Sequence, residues 1–212
     1  MKDILIVGAG GLGREVLQWV KDINAVAPTW RIKGFLDDNP ATLDGVDCDY
    51  PVVGTIGEWT PAEDEVFVCA VADCATKEQV VSSLQARGAQ FESVIHPTAT
   101  IGDHNHLGEG FIAFPGSVIT VNASIGDFVT LLNSQLGHDA RVGDFSTISS
   151  YCDITGGVTL GKRVFLASHV TIVPGRRVGD DAYLGAGSVV FSDVQAKTKV
   201  LGNPARRIPA IE

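Results

Sequence analysis

The residues with the clearest chemical potential are Gly137-His138-Asp139. A neutral imidazole is the side chain best suited to take a proton near neutral pH, and a carboxylate beside it can orient the ring and stabilise the imidazolium. Neighbours along a strand point to opposite faces, so His138 and Asp139 cooperate only if they lie at a corner of the chain. The other four histidines read differently. His96 precedes Pro97 and reads as structural. His104 and His106 form an H-x-H pair with no third ligand near in sequence, which suits a polar end cap better than a metal. His169 sits in a regular repeat, as a surface residue or a ligand contact. The four cysteines are scattered without a C-x2-C pair, which argues against zinc and against a disulfide framework. No metal site is expected.

A period of six residues dictates the elements that must position His138. Leu136, Val142, Ile148, Ile154, Leu160, Leu166, Ile172, Val178, Leu184 and Val190 are all aliphatic, with glycine or small residues following most of them. Short strands of one length, each ended by a glycine-tolerant corner, produce this spacing in a parallel β-helix. Ile101, Leu107, Ala113, Ile119, Ile125 and Leu131 hold an earlier register, and one residue is then missing before Leu136. His138 falls two residues past that slip. Irregular steps in regular scaffolds often carry function, which makes His138 the leading catalytic candidate. Ile101 to Val190 predicts about five coils, and Pro204 and Pro209 predict that no strand or helix continues beyond Val190.

Ahead of the repeat, the aliphatic run Asp3–Val7 breaks into Gly8-Ala9-Gly10-Gly11-Leu12-Gly13, and Arg14–Ile23 reads as an amphipathic helix. Strand, glycine loop and helix is the context in which G-x-G-x-x-G brings backbone N–H groups and a helix N-terminus toward phosphate. Arg31–Leu36 is a second strand ending at Asp37-Asp38, where a ribose or base contact lies in doubly wound folds. Pro51–Val53, Glu65–Val71 and Phe91–Ile95 read as further extended pieces, and Lys77–Arg87 as a helix closed by Gly88. This is an α/β, Rossmann-like pattern.

The chain has 212 residues, 45% hydrophobic and 19% charged, enough for a sizeable core. No apolar run approaches the ~20 residues of a membrane span, and no processing signal is evident, so a cytoplasmic protein is expected. A formal charge of −9 disfavours nucleic acid and membrane insertion. The charge is uneven: residues 160–212 carry eight basic against four acidic side chains, which suits a phosphate-bearing ligand at that end.

Four stretches together with the repeat resemble the hexapeptide-repeat acyltransferases, in the branch with an N-terminal nucleotide-sugar domain. They are Ile6 to Glu15, Gly34-Phe35-Leu36-Asp37-Asp38-Asn39, Gly137-His138-Asp139 through Phe145, and Gly202-Asn203-Pro204-Ala205-Arg206. That branch contains N-acetyltransferases of UDP- and GDP-linked 4-amino sugars and proteins called sialic acid O-acetyltransferases. The resemblance implies a Rossmann-like nucleotide-sugar-binding domain over 1–96, a left-handed β-helix over 97–194, and a tail over 195–212 that contributes to the CoA site. It implies a homotrimer with active sites between subunits, serving surface glycan biosynthesis. His138 matches the catalytic base and Asp139 its supporting acid. Gly156, Ser168, Ala186 and Arg206 match positions lining acetyl-CoA. Gly10, Gly11 and Gly13 match the phosphate loop, and Asp37 and Asp38 match contacts to the nucleotide base. Thr147 stands where several relatives carry a second, cofactor-contacting histidine. The implied reaction is acetyl transfer to an amino group, the alternative being transfer to a sugar hydroxyl. An NAD(P)-linked oxidoreductase, from the glycine loop and Asp37, and a zinc-dependent β-helix hydratase are the competing enzyme classes.

Overall fold

The structure, a computed structural model, describes residues 1–209. The end of the tail, 210–212, lies outside the described residues. The chain forms two compact units that divide between Pro97 and Thr98.

The first unit contains β1 (Lys2–Val7), α1 (Gly11–Val26), β2 (Trp30–Leu36), β3 (Val52–Gly54), β4 (Glu65–Cys69), α2 (Cys74–Gln85) and β5 (Val94–Ile95). Four of these strands make a parallel sheet in the order β3-β2-β1-β4. The aliphatic run Ile4 to Val7 and all of β4 are buried, as expected of strands covered on both faces. α2 starts three residues before the apolar pattern at Lys77 begins, because the Asp73 carboxylate caps it by accepting the Thr76 N–H at 2.9 Å. The extended stretch expected over Phe91–Ile95 shortens to β5 and one bridge from Phe91 to Phe67.

The second unit is a parallel β-solenoid whose strands stack in three sheets. The first sheet stacks Thr100–Ile101, Val118–Ile119, Gln135–Leu136, Asp153–Ile154, Thr171–Ile172 and Val189–Val190. The second stacks His106–Leu107, Ser124–Ile125, Arg141–Val142, Thr159–Leu160 and Arg177–Val178. The third runs through Ile112–Ala113, Thr130–Leu131, Thr147–Ile148, Phe165–Leu166, Tyr183–Leu184 and Lys199–Leu201. The second residue of each strand points inward, and from Leu136 to Val190 none of the ten is more than 3% exposed. We call the corners after the first, second and third sheets the first, second and third edges.

One sequence expectation needs correction and another gains detail. The coil count differs from five, because the chain does not leave the solenoid at Val190. Lys199–Leu201 adds a rung on Tyr183–Leu184, and Arg206–Arg207 folds back antiparallel on it. Pro204 sits in the turn between these strands, where it needs no ladder N–H, so the prolines did not exclude them. The slip lies where the spacing puts it, between Leu131 and Leu136: residues 132–134 at the third edge replace the four-residue turn of the next coil, one corner before His138. Asn133 takes up the shorter path at φ 39°, and the Ser134 hydroxyl accepts the Cys152 N–H at 2.8 Å and donates to the Ser149 carbonyl at 2.7 Å. Strand register survives intact, with Leu136 opposite Ile119 above and Ile154 below.

One fold residue was not anticipated. Lys77, in the first turn of α2, is fully buried. Burial pushes its ammonium down to about 8, against the opposing pull of Cys74, Cys69 and Asp73. Burial also pushes the Cys69 thiol up from 9.0 to about 11. Between about pH 8 and 9 the unfolded chain holds a Lys77 proton that the native state lacks, so stability climbs with pH by about 1 kcal/mol. Above 9 the native state keeps Cys69 and Cys152 protons that the unfolded chain loses, and their two slopes outweigh that of Lys77. Urea unfolding across this range is expected to show a rise and then a fall. In Lys77→Met it is expected to be flat to pH 9 and to fall beyond.

Candidate active site

Gly137-His138-Asp139-Ala140 is a first-edge corner and not part of a strand, which answers the geometric objection to a His–Asp pair. Asp139 has φ 60°, and the same corner position is taken by His104, Asn122, Gly157 and Gly175 in other coils, all with positive φ. Asx side chains tolerate this left-handed conformation because they are short and can bond locally. The reversal lets both side chains project from one edge, and His138 Nδ1 lies 2.8 Å from Asp139 Oδ2. An ionised carboxylate only accepts, so Nδ1 carries the proton and Nε2 is left with its lone pair. Backbone bonds fix the corner from both sides. Asp139 N–H donates to Val121 O at 3.1 Å, and His138 O accepts from Gly157 N–H at 2.8 Å.

Gly156, directly below, holds the ring's space open. A Cβ there would come within 2.4 Å of His138 Nε2 and 2.6 Å of Cε1. Nε2 therefore lies over a residue that must lack a side chain. Both members of the dyad are open to solvent, with His138 at 67% and Asp139 at 62% side-chain exposure.

The other candidates are spread over the solenoid. Ser168 and Ala186 occupy equivalent positions in successive turns of the third edge, bridged by the bond from Gly187 N–H to Ser168 O at 3.0 Å. Thr147 belongs to the third sheet, paired with Thr130 and Phe165, and is buried. Arg206 is exposed on the C-terminal hairpin, where Ala205, Arg206 and Arg207 border a cavity of about 250 Å³ with Phe191 and Asp193. The structure thus brings His138, Asp139 and Gly156 together at one edge, while Ser168 and Ala186 lie at another. His169 stacks on Tyr151 at the third edge with ring centroids 5.1 Å apart. His96 is buried against Asp22 at 3.3 Å and edge-on to Trp19. Among the described residues no three of His, Cys, Asp and Glu gather as a metal-binding group.

In the first unit the glycines divide by role. A Cβ on Gly13 would meet Gly8 O at 1.9 Å, so this glycine lets helix and loop touch. Gly10 and Gly11 have nothing within 4 Å of where a Cβ would stand, leaving the start of α1 open. A cavity of about 630 Å³ beside that start is lined by Gly11, Leu12, Arg14, Glu15, Gln18 and Trp19. Asp37 and Asp38 are partly committed to the fold. Asp37 accepts the Ala9 N–H at 2.8 Å, tying β2 to the glycine loop, and Asp38 Oδ1 accepts from Ile56 and Gly57.

Comparison with known proteins fits both units. Residues 3–84 match the model of the PglD N-terminal domain. The chain is 30% identical over 154 residues to a GDP-perosamine N-acetyltransferase of Escherichia coli O157:H7, covering 70% of each protein. It belongs to the hexapeptide-repeat acetyltransferases. Among solved structures, the acetyltransferase domain of PglB from Neisseria gonorrhoeae superposes with TM-score 0.89 at 25% identity, covering 98% of this chain and 100% of that one. PerB from Caulobacter crescentus, in complex with CoA and GDP-perosamine, gives 0.87 at 26% identity over 99% and 98%. The acetyltransferase also matches bifunctional GlmU proteins, such as that of Stutzerimonas stutzeri at 28% identity, but spans only 35% of that protein's length.

For this acetyltransferase the Gly156 contact makes a sharp test. Gly156→Ala leaves the coil folded, since only the ring must move, but displaces the imidazole. Misplacement of a reacting group by about 1 Å costs on the order of 100-fold. A fall of that size in kcat, with an unchanged circular dichroism melt, is the expected result.

Proposed function

We propose that the protein transfers the acetyl group of acetyl-CoA to the amino group of a nucleotide-linked amino sugar, with His138 as general base. The observation that carries this reading is the His138 Nδ1–Asp139 Oδ2 bond of 2.8 Å, which leaves Nε2 unprotonated over Gly156. The neutral amine attacks the thioester carbonyl. As the C–N bond forms, its proton passes to Nε2, and Asp139 stabilises the imidazolium through Nδ1. The C–S bond then breaks, and the departing CoA thiolate takes the proton back. No metal enters this scheme.

The GDP-perosamine of the relatives makes a GDP-linked 4-amino sugar the first acceptor to try. The open start of α1, with Gly10 and Gly11 free and Arg14 and Gln18 beside it, suits the acceptor's diphosphate. Asp38, exposed and with one oxygen uncommitted to the fold, suits the base. Acetyl-CoA is assigned to the coils below His138. Ser168 and Ala186 lie along its path, Thr147 beside it, and Arg206 at its phosphates. His138, Asp139 and Gly156 sit at one edge of the solenoid and Ser168 and Ala186 at another, so one solenoid does not bring them into one site by itself. That split supports a homotrimer with active sites between subunits. A left-handed solenoid and a Rossmann-like first unit complete this reading.

His138→Ala is expected to lower kcat by roughly a hundredfold to ten-thousandfold, the worth of a general base, with CoA binding retained. Retention of activity within tenfold of the parent would rule His138 out as base. Asp139→Asn is expected to fall between the two. Calorimetric titration with GDP, UDP and CMP checks the acceptor assignment. Preference for CMP would redirect it to sialic acid chemistry, and matched amino and hydroxy acceptors then separate amide from ester formation.

A further inference from the structure

The end of β2 carries two carboxylates, and hydrogen bonds divide them unequally. Asp37 is engaged by the fold through both oxygens. Its Oδ2 accepts the Ala9 N–H at 2.8 Å, and its Oδ1 accepts the Asn39 N–H at 2.9 Å and the Thr42 hydroxyl at 3.1 Å. Asp38 is exposed, and only its Oδ1 is engaged, by the Ile56 N–H at 2.8 Å and the Gly57 N–H at 3.2 Å. Among the described hydrogen bonds its Oδ2 has none. An ionised carboxylate only accepts, so this oxygen is open to a donor on a ligand. An exposed aspartate samples several side-chain orientations unless something holds it. Here two amides hold Oδ1, and they thereby set the direction in which Oδ2 points.

Those amides belong to a single helical turn that follows β3. Trp59 N–H donates to Thr55 O at 3.2 Å, and the Thr55 hydroxyl donates to Glu58 Oε2 at 3.2 Å. The first N–H groups of such a turn have no partner within it, and Asp38 accepts them. Its carbonyls have the opposite need, and Arg87 meets it from just past the end of α2. Arg87 donates through Nη1 to Gly57 O at 2.7 Å and Trp59 O at 2.9 Å, and through Nη2 to Ile56 O at 2.7 Å. Ser83 takes the rest, its carbonyl from Nε at 3.1 Å and its hydroxyl from Nη2 at 3.3 Å. A guanidinium has five N–H donors, and each of them is placed here. Arg87 therefore has no donor left for a substrate phosphate and acts on the site only through the turn. One helical turn is too short to hold its own shape. Besides Arg87, Trp59 pins it: its ring lies against Gly54, where a Cβ would come within 2.6 Å, and its Nε1 donates to the buried Glu65 at 3.0 Å.

We infer that Arg87 is a positioning residue for the acceptor's nucleobase. It clamps the carbonyl side of the 55–59 turn, the amides of the turn orient the Asp38 carboxylate, and Asp38 Oδ2 accepts an N–H of the base. Guanine and uracil each offer a ring N–H and cytosine an amino group, so the same relay serves whichever base is bound. The clamp lets an exposed carboxylate keep one orientation before the ligand arrives, which saves the ordering cost at binding. This role rests on Asp38 being the base contact, and the two claims fail differently.

A double-mutant cycle on the full chain tests it, read by calorimetry with whichever of GDP, UDP and CMP the parent binds most tightly and with CoA as the control ligand. Asp38→Ala is expected to weaken nucleotide binding roughly tenfold or more, the worth of a hydrogen bond to a charged group. Arg87→Ala is expected to weaken it roughly threefold to thirtyfold, the range for a residue that acts through a network. CoA affinity is expected to match the parent in both. In the Asp38→Ala background, Arg87→Ala is expected to cost nothing more, because the oxygen it orients is gone. Losses that simply multiply would overturn the inference, since Arg87 would then act by another route. Parental nucleotide affinity in Arg87→Ala would overturn it while leaving Asp38 as the base contact. Parental affinity in Asp38→Ala would remove that contact, and the role of Arg87 with it. Equal loss of nucleotide and CoA affinity in Arg87→Ala would mark a general loosening and overturn it too. If Arg87→Ala does not fold, Arg87→Lys, which keeps the charge without the planar fork, takes its place in the cycle with the same outcomes.

Discussion

No strand of the solenoid can hold itself together. Nearly all are two residues long, and each contributes a single inward aliphatic side chain. A lone coil would leave that side chain wet and its backbone groups unpaired. Stacking satisfies both needs together, because each rung donates to the coil below at close to 2.9 Å, as from Arg141 to Val158 and Thr159 to Arg176. The inward column meanwhile becomes a continuous dry core. Losing one inward leucine to alanine costs such a core about 2–5 kcal/mol, shared with the rungs on either side. The edges inherit their geometry from this constraint. Every corner must turn within about four residues, which is why left-handed residues recur at one fixed position in each turn.

That division of labour frees the edge side chains for chemistry. The backbone of His138 and Asp139 is held by Val121 and Gly157, while the side chains bond only to each other among the described contacts. Elsewhere the same kind of corner spends its side chains on structure. At the second edge Asp127, Asp144 and Asp180 each accept a backbone N–H from the preceding coil. Burial raises the Asp144 carboxyl, but hydrogen bonding and charge from Lys162 outweigh it and hold the group below the ordinary carboxylate range. An edge thus either ties its coils together through carboxylates or leaves its side chains free of that task, and the first edge at His138 does the latter.

The solenoid was readable because a single aliphatic column with a fixed period admits few other structures. The dyad was readable as residue types, since histidine beside aspartate before a run of repeats is chemically suggestive. Its geometry was not, because whether neighbours share a face depends on the left-handed turn at Asp139, which no periodicity encodes. The slip was readable to an interval: counting places the missing residue between Leu131 and Leu136, and the structure absorbs it at the short turn through Ser134, one corner before His138. The last rung escaped notice because Lys199–Leu201 breaks the six-residue spacing while still finding backbone partners on Tyr183–Leu184. Lys77 escaped because nothing in a helical pattern distinguishes a buried lysine from a solvated one.

A solenoid has a further consequence for any site built on it. Its core is filled by its own inward column, so it has no interior pocket to offer, and its faces and edges are flat or convex. Concavity must come from a second body. His138, Asp139 and Gly156 lie on one edge of this chain and Ser168, Ala186 and the stacked Tyr151 and His169 on another, with the first sheet between them. Enlarging the chain would not bring them together, since added coils lengthen the prism without bending it. Rotation of identical copies about a parallel axis does, because it joins unlike edges at equal height. On such a scaffold, enclosing a substrate and forming a ring become one geometric problem.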